Sequence, residues 1–423
     1  MRILVTGATG LIGQSIRARL AAEGHDVVPV SRRPIASGGI VLDMTSAISP
    51  GAWLPHLTSV DAVVNCAGVL QDSQREDTAK VHHLAADGLF RACEQAGVRR
   101  VIHFSAIGVD RAQPSAFSAS KLAGDRALMA SGLDWVILRP SVVLGRPVFG
   151  ASALIRGLAA LPWLPSMPGT AKLQVVRLED VVKTVVFFLA PSAPSRIAME
   201  LAGPEAMTMD ETVAHYRRWL GWRPARRVVM PRWLAGLLYR LGDAAAALGW
   251  RPPLRSNAAR EMTRGAIGDP RPWTELTGII PSSLQQALVA EPASVQEKWF
   301  AGLYALKPVI FVVLAAFWMA TAVISVTIGY ELGVELLVVA GVGALSGPLV
   351  VAGALADLVI GLLIAWRRTT RWGLWGALAL SGFYIVAGSI LRPDLWAEPL
   401  GPFLKIFPIL VLHLVALAVL EER

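Results

Sequence analysis

Cysteine is nearly absent: 423 residues hold two, Cys66 and Cys93, and no Cys-x-x-Cys pair. That excludes a disulfide framework and a cysteine-based zinc site, and no metal is expected; the soluble part suits a reducing cytoplasm. The first residues lack the long apolar run of a secretory signal. Met1 to Val5 is brief and leads straight into glycines, so export of the first 300 residues is not expected. Acids are scarce where arginine is dense: between residues 216 and 264 eleven arginines face only Asp243 and Glu261. No zinc, helix-turn-helix or RNP pattern accompanies the formal net charge of +9. The basic balance therefore points to a lipid bilayer and away from nucleic acid.

What the chain has in excess is apolar surface. Hydrophobic residues make up 54% and the mean hydropathy is +0.51, above a soluble average. The excess lies after Leu303, whereas residues 1–300 read as soluble. Four apolar runs, near 307–329, 348–366, 372–391 and 402–420, each approach the ~20 residues a bilayer demands. Arg367, Arg368 and Arg371 fall between the second and third; Glu331 and Glu335, without Lys or Arg, fall between the first and second. The positive-inside rule predicts a multi-pass inner-membrane protein. The arginine loop, the N-terminal region and the C-terminus Glu421-Glu422-Arg423 are then cytoplasmic. Asp357 and His413 lie near the middles of the second and fourth runs, where ionisable groups are costly. They are read as a proton relay or quinone-site pair, or else as a structural pair or residues facing the cytoplasmic half.

Residues 1–140 alternate apolar runs with helical stretches. Strands are expected over 2–6, 26–30, 40–42, 59–65, 100–105 and 135–138, with helices over 14–23, 78–96 and 115–131. Such alternation predicts an α/β Rossmann domain with a doubly wound parallel sheet. Gly7-Ala8-Thr9-Gly10-Leu11-Ile12-Gly13 joins the first strand to the first helix. There, Gly7 permits the tight turn, Gly10 lets a pyrophosphate approach the backbone, and Gly13 lets helix and strand lie close. Thr9, Leu11 and Ile12 complete the candidate cradle, and the helix dipole favours the anion. The second strand ends in Ser31-Arg32-Arg33, where an NAD site usually offers an acid, so NADP(H) is expected over NAD(H). Solvated surface arginines are the alternative. Asp43, after the third strand, is a candidate for the adenine amine or equally a helix N-cap.

Residues 150–215 still read as α/β, with a helix over 179–189 and a strand over 197–201; Glu179 and Asp180 favour the helix macrodipole. Between 216 and 264, Trp219, Trp222, Trp233 and Trp250 interleave with the arginines. That pattern suits helices on an anionic membrane surface, or equally a solvated substrate lobe. Residues 265–300, with Pro270, Pro272, Pro281 and Pro292, read as a linker. The expected organisation is a Rossmann domain with a small α/β extension over 1–215, then a basic helical lobe and linker over 216–300. An all-α four-helix transmembrane bundle over 301–423 completes it.

Thr6-Gly7-Ala8-Thr9-Gly10-Leu11-Ile12-Gly13, Leu42-Asp43-Met44, Asn65-Cys66-Ala67-Gly68, Phe104-Ser105-Ala106, Phe117-Ser118-Ala119-Ser120-Lys121 and Leu138-Arg139-Pro140-Ser141 occur in that order. Together they resemble the short-chain dehydrogenase/reductase superfamily in its atypical or extended branches. The run from Val63 to Leu70 and the short gap from Ser105 to Phe117 are most similar to the NAD(P)-binding accessory subunit of respiratory complex I. The C-terminal quarter resembles the DoxX-like membrane family, and Glu291 to Phe300 with Leu306-Lys307-Pro308 resembles the junction in fusions of the two.

The resemblance implies roles. In the superfamily a tyrosine four positions before the lysine is the general acid/base, the lysine lowers its pKa and holds the nicotinamide ribose, and a serine orients the substrate carbonyl. Lys121 and Ser105 match. Phe117 occupies the tyrosine's place and has no proton to give. No tyrosine precedes Tyr216, so Ser118, Ser120, or Tyr216 and Tyr239 from the second lobe are the candidate substitutes. Asp43, Met44, Cys66, Ala67, Gly68, Lys121 and Pro140 are implied to line the cofactor. The expected function is a membrane-anchored NADP(H)-dependent oxidoreductase passing hydride to a quinone-like or lipid-soluble carbonyl substrate. The alternative is a non-catalytic NADP(H)-binding sensor or scaffold for a membrane protein partner. The missing tyrosine counts against a lipid-linked sugar epimerase.

Overall fold

The computed structural model describes residues 1–72, 77–399 and 401–421. Glu422 and Arg423, part of the C-terminus expected in the cytoplasm, lie outside them. Contacts divide the chain into two units: Met1–Ala244 with Pro252–Gly302, and Ala245–Arg251 with the chain from Leu303 on.

In the first unit β1 (Arg2–Thr6), β2 (Asp26–Ser31), β3 (Ile40–Val41), β4 (Ala62–Asn65), β5 (Arg100–Phe104) and β6 (Asp134–Pro140) stand where the apolar runs predict them. β7 (Val142–Leu144), β8 (Trp163–Ser166), β9 (Leu173–Arg177), β10 (Ile197–Leu201), β11 (Ala206–Met207) and β12 (Arg226–Val229) follow. The main sheet runs β10-β6-β5-β4-β1-β2-β3, every pairing parallel. Its strands are apolar at odd and even positions alike because both faces are covered. Ile3, Val5, Val64, Ile102 and Leu138 join one core cluster; Leu4, Val63, Val101 and Ile137 join the other.

The helices of this unit are α1 (Leu11–Ala22), α2 (Ala85–Ala96), α3 (Ala116–Met129), α4 (Ala151–Ala160), α5 (Leu178–Leu189), α6 (Met209–Trp219), α7 (Arg232–Ala247), α8 (Ser256–Arg264), α9 (Arg271–Thr277) and α10 (Leu284–Ala290). α7 runs on into the second unit. The stretch expected as one helix over 78–96 contains a π-helical turn, Lys80–Leu84, before α2. There α3 crosses so closely that a Cβ on Gly124 would sit 2.1 Å from the His82 carbonyl oxygen. The basic stretch is not purely helical either, since β12 pairs with β8.

Residues 265–300 depart furthest from expectation. They are not a loose linker: Trp273 of α9 is wholly buried in the core of the main sheet and donates its Nε1–H to Thr184 Oγ1 at 3.0 Å. Pro272 sits in the first turn of that helix, where the missing N–H costs nothing. Trp273→Ala is expected to lower stability by about 3–5 kcal/mol, read as a lower urea midpoint of the detergent-solubilised chain. An unchanged midpoint would restore the linker reading.

The second unit contains α11 (Val295–Val326) from Leu303 on, α12 (Tyr330–Val339), α13 (Ser346–Ala365), α14 (Thr370–Leu391) and α15 (Ile406–Val419). Among the described residues three helices are long and apolar enough to cross a membrane: α11, α13 with its leading turn Gly343–Leu345, and α14. The fourth expected span is a shorter helix. At 14 residues α15 covers about 21 Å, short of the ~30 Å hydrocarbon core. Gly401, at φ +58°, opens a turn that keeps residues 402–405 out of it.

Asp357 and His413 do not form the expected pair. Tyr384 donates its hydroxyl to Asp357 Oδ1 at 3.2 Å, while Trp318 donates its Nε1–H to His413 Nε2 at 2.9 Å. His413 Nδ1 in turn reaches the Ile409 carbonyl at 2.7 Å, so both ring nitrogens are used structurally. At one end of this unit Arg367 donates to the Leu420 carbonyl at 3.0 Å and Arg371 pairs with Glu421. The arginine loop and the end of α15 are therefore neighbours.

Candidate cofactor and active site

The glycine loop leaves β1 with Gly7 at φ +61°. A Cβ on Gly7 would lie 2.7 Å from the Cys66 carbonyl oxygen, so the loop after β4 rests directly on it. Gly13 lies inside α1, and its Cβ would meet the Gly7 oxygen at 2.3 Å. The helix N-cap is Gly10, which brings no capping side chain, and no acid stands in the first turn. The leading N–H groups, Leu11 and Ile12 among them, are thus left for an outside anion. The residues present fit a dinucleotide pyrophosphate.

Other expected cofactor contacts are less direct. Ser31 is buried and turns its hydroxyl to the Arg33 carbonyl, while Arg32 and Arg33 are exposed at the end of β2. Asp43 is exposed and caps its own turn, accepting from Thr45 N–H and Oγ1 at 2.9 Å each. Met44 buries its side chain in the core, which leaves only its backbone to a nucleotide. Pro140 ends β6, and its carbonyl accepts from Ile107 N–H at 3.1 Å.

Lys121 lies on α3, four residues after Phe117 and so on the same helix face. It is buried and donates to the Phe104 carbonyl at 2.7 Å. A Cβ on Gly68 would be 3.3 Å from Nζ, so the loop Cys66-Ala67-Gly68 covers the ammonium. Burial lowers its pKa to about 8, although Asp125 and Cys66 pull upward. The Cys66 thiol is itself pushed up by burial. Ser105, at the end of β5, is buried beside Asp125. Phe117 is half-buried, its ring edge-on to His82 at 5.5 Å between centroids.

Several residues not anticipated by sequence complete the site. Thr6 Oγ1 donates to Asn65 Oδ1 at 2.6 Å, and Asn65 Nδ2 donates to His103 Nδ1 at 3.0 Å. His103 Nε2 then faces Asp125 Oδ1 at 3.7 Å, and Arg139 pairs with Asp125 and Asp110. This buried line ties together the ends of β1, β4, β5 and β6 beneath the loops. Burial pushes the Asp125 carboxyl up, against the pull of Ser105 and Arg139. The His103 pKa is lowered by burial and then by the Lys121 charge. His82 accepts from Val69 N–H at 3.0 Å through Nε2, so Nδ1 carries the proton shared with Ser120 at 2.9 Å. It too is held neutral by burial and by Lys121.

Glu261 of α8 accepts from Ser118 Oγ at 2.8 Å and from Ser115, and pairs with Arg264 at 2.9 Å. Arg255 and Asn257 bond the carbonyls of Asp72 and Leu70 at 3.0 and 3.2 Å. Helix α8 thus bridges the loop after β4 and the start of α3. One signal was in the sequence: Glu261 is one of two acids in the basic stretch. Of the suggested tyrosine substitutes, Ser118 and Ser120 are buried and bonded to Glu261 and His82. Tyr216 is buried in a different cluster, with Leu144 and Ile155.

Residues 7–153 match the NAD(P)H-binding family model, and residues 315–414 match the DoxX-like family. An epimerase family protein of Mycobacterium bovis is 30% identical over 293 residues, 63% of this chain and 95% of the relative. A ceramide reductase of Caulobacter vibrioides is 26% identical over 191 residues, 44% and 60% of the two chains. A mitochondrial NADH dehydrogenase subunit of Arabidopsis thaliana is 26% identical over 224 residues, 49% and 55%. Uncharacterized proteins of Mycobacterium tuberculosis and M. bovis are 29% identical over 222 residues, 51% of this chain, which spans only 23% of their length. Among solved structures, the Bordetella bronchiseptica enzyme WbmG in complex with NAD superposes at TM-score 0.54. Its identity is 18%, over 72% of this chain and 95% of that one. That likeness establishes the fold; the family matches give an NAD(P)H-binding domain followed by a DoxX-like domain.

Proposed function

Since the chain belongs to the epimerase family of NAD(P)H-binding proteins and carries a DoxX-like domain, we propose that it is a membrane-anchored NADPH-dependent reductase of a lipid-soluble carbonyl or quinone-like compound. The observation that carries this reading is Lys121. Its ammonium is buried beneath the loop after β4, and its pKa of about 8 suits a proton donor near neutrality. When bound, the reduced nicotinamide supplies hydride to the substrate carbon. Lys121 then gives its proton to the substrate oxygen, a role Phe117 cannot fill, and regains one from water. A reductase of ceramide among the relatives supports a lipid-like substrate. The arginine loop beside the end of α15 supports a cytoplasmic face for both, in an inner membrane.

The test is NADPH oxidation by the full chain in nanodiscs, with a panel of lipid carbonyls and quinones. Acceptor-dependent oxidation is expected. Tight NADPH binding without turnover on any acceptor would instead establish the binding-only reading that Phe117 favours, a sensor or scaffold.

NADPH is proposed over NADH on Arg32 and Arg33, exposed at the end of β2. Arg32→Ala with Arg33→Ala is expected to weaken NADPH by roughly 10–100-fold, the worth of a charge-assisted phosphate contact, and to leave NADH unchanged. Equal losses for both nucleotides in a binding titration would refute the preference.

A further inference from the structure

Helix α7 is inverted for a helix facing water. Its most buried positions are small: Ala235 and Gly242 are buried, with Leu234, Leu238 and Tyr239 half-buried, and a Cβ on Gly242 would lie 1.9 Å from the Leu254 carbonyl oxygen. Its outward side is large and apolar. Trp233, Leu237 and Leu241 are 71%, 45% and 56% exposed. Spaced four residues apart, they form a single stripe where a solvated helix carries charge. Arg232 and Arg240, both exposed, flank it. The acid of this helix, Asp243, is taken up by Arg255 at 3.2 Å and by Ser256, so the border of the stripe is cationic.

The residues that follow α7 indicate what covers this stripe. Leu248 and Trp250 belong to the membrane unit. Arg367 N–H donates to the Leu248 carbonyl at 3.0 Å, and Trp250 Nε1–H donates to the Ala365 carbonyl at 2.8 Å. The Arg367 guanidinium lies over the Trp250 ring, 5.6 Å from its centroid. Ala365 is the last residue of α13, and Arg367, Arg368 and Arg371 lie in or next to the turn that follows. The chain just after α7 is therefore held at the end of α13, a helix long and apolar enough to cross a membrane. The 16 residues of α7 make a helix about 24 Å long. An apolar stripe bordered by arginines and tethered there matches an interfacial amphipathic helix.

We propose that α7 lies in the headgroup region of an anionic leaflet, with Trp233, Leu237 and Leu241 immersed and Arg232 and Arg240 against lipid phosphates. The partner is an anionic phospholipid surface, whatever reaction the cofactor domain performs.

The test uses the full chain, one copy per nanodisc, with photo-crosslinking benzoylphenylalanine replacing Leu237. Discs contain phosphatidylcholine alone or with phosphatidylglycerol. Illumination is expected to attach lipid to the α7 peptide, with the higher yield in anionic discs. Arg232→Gln and Arg240→Gln should each lower that yield roughly fivefold, the attraction of one basic residue to such a leaflet. Hydrogen exchange of residues 232–247 in the unmodified chain guards against a misfolded variant, and should be slower in anionic than in neutral discs. Cross-links to protein in place of lipid, no adduct, or equal yield and exchange in both discs would overturn the proposal.

Discussion

Gly13→Ala is expected to raise the dissociation constant for NADPH by about 100-fold or more. The added Cβ would stand 2.3 Å from the Gly7 oxygen and 2.9 Å from its carbonyl carbon, both backbone atoms. The Gly7 peptide cannot retreat. Its oxygen accepts from Gly10 N–H at 2.8 Å, and Gly7 itself rests against Cys66 and Ala67. Relief requires α1 to lift from β1 or the loop to open, and either movement disperses the N–H groups that would hold a pyrophosphate. Losing two hydrogen bonds to a charged oxygen, at about 1.5–3 kcal/mol each, gives at least that loss. Overpacking adds an expected fall in stability of about 1–3 kcal/mol. Gly132→Ala is the control, since its Cβ would meet only Glu94 Oε1 at 3.5 Å. Calorimetric titration of both variants decides the point: equal NADPH affinities would remove the loop from the cofactor site.

The loop and the sheet were legible because their causes are local. A strand buried on both faces must be apolar at every position, and a glycine pattern between strand and helix has few other uses. The buried line Thr6-Asn65-His103-Asp125-Arg139 was not legible, because its partners come from separate strands and only folding brings them together. Even so, Asp125 stands four residues after Lys121, and His103 interrupts an otherwise apolar strand end. Glu261 reaches Ser118 across 143 positions, beyond any local pattern. The prolines of 265–300 misled because the same residue that marks a linker also suits the first turn of a helix; Trp273 was the better guide. The fourth apolar run forms a shorter helix than its length predicts for a related reason. Hydropathy registers apolar residues whether or not they are helical, and it does not see the turn at Gly401.

Lys121→Arg is expected to lower the rate of carbonyl reduction by about 10²–10⁴, the usual contribution of a general acid. Arginine keeps the positive charge and the capacity to donate hydrogen bonds, but it does not release its proton in this pH range. A lysine that only positions the cofactor would therefore tolerate the change far better than a lysine that gives up a proton. The pH profile supplies the second readout. Burial has brought Nζ down from the ordinary lysine value to about 8, so the ammonium is the main form near pH 7 and is lost as pH rises through 8. Reduction should be level at neutral pH and fall about tenfold per unit above 8. Oxidation of the product alcohol needs the neutral amine and should rise through the same range. Phe117→Tyr separates the two acids. A phenol four residues before Lys121, on the same face of α3, should carry reduction further into alkaline pH and restore part of the rate to the arginine variant. A reduction rate independent of pH between 7 and 10, with Lys121→Arg as active as the parent chain, would mean that Lys121 only holds the nucleotide and that the proton comes from elsewhere.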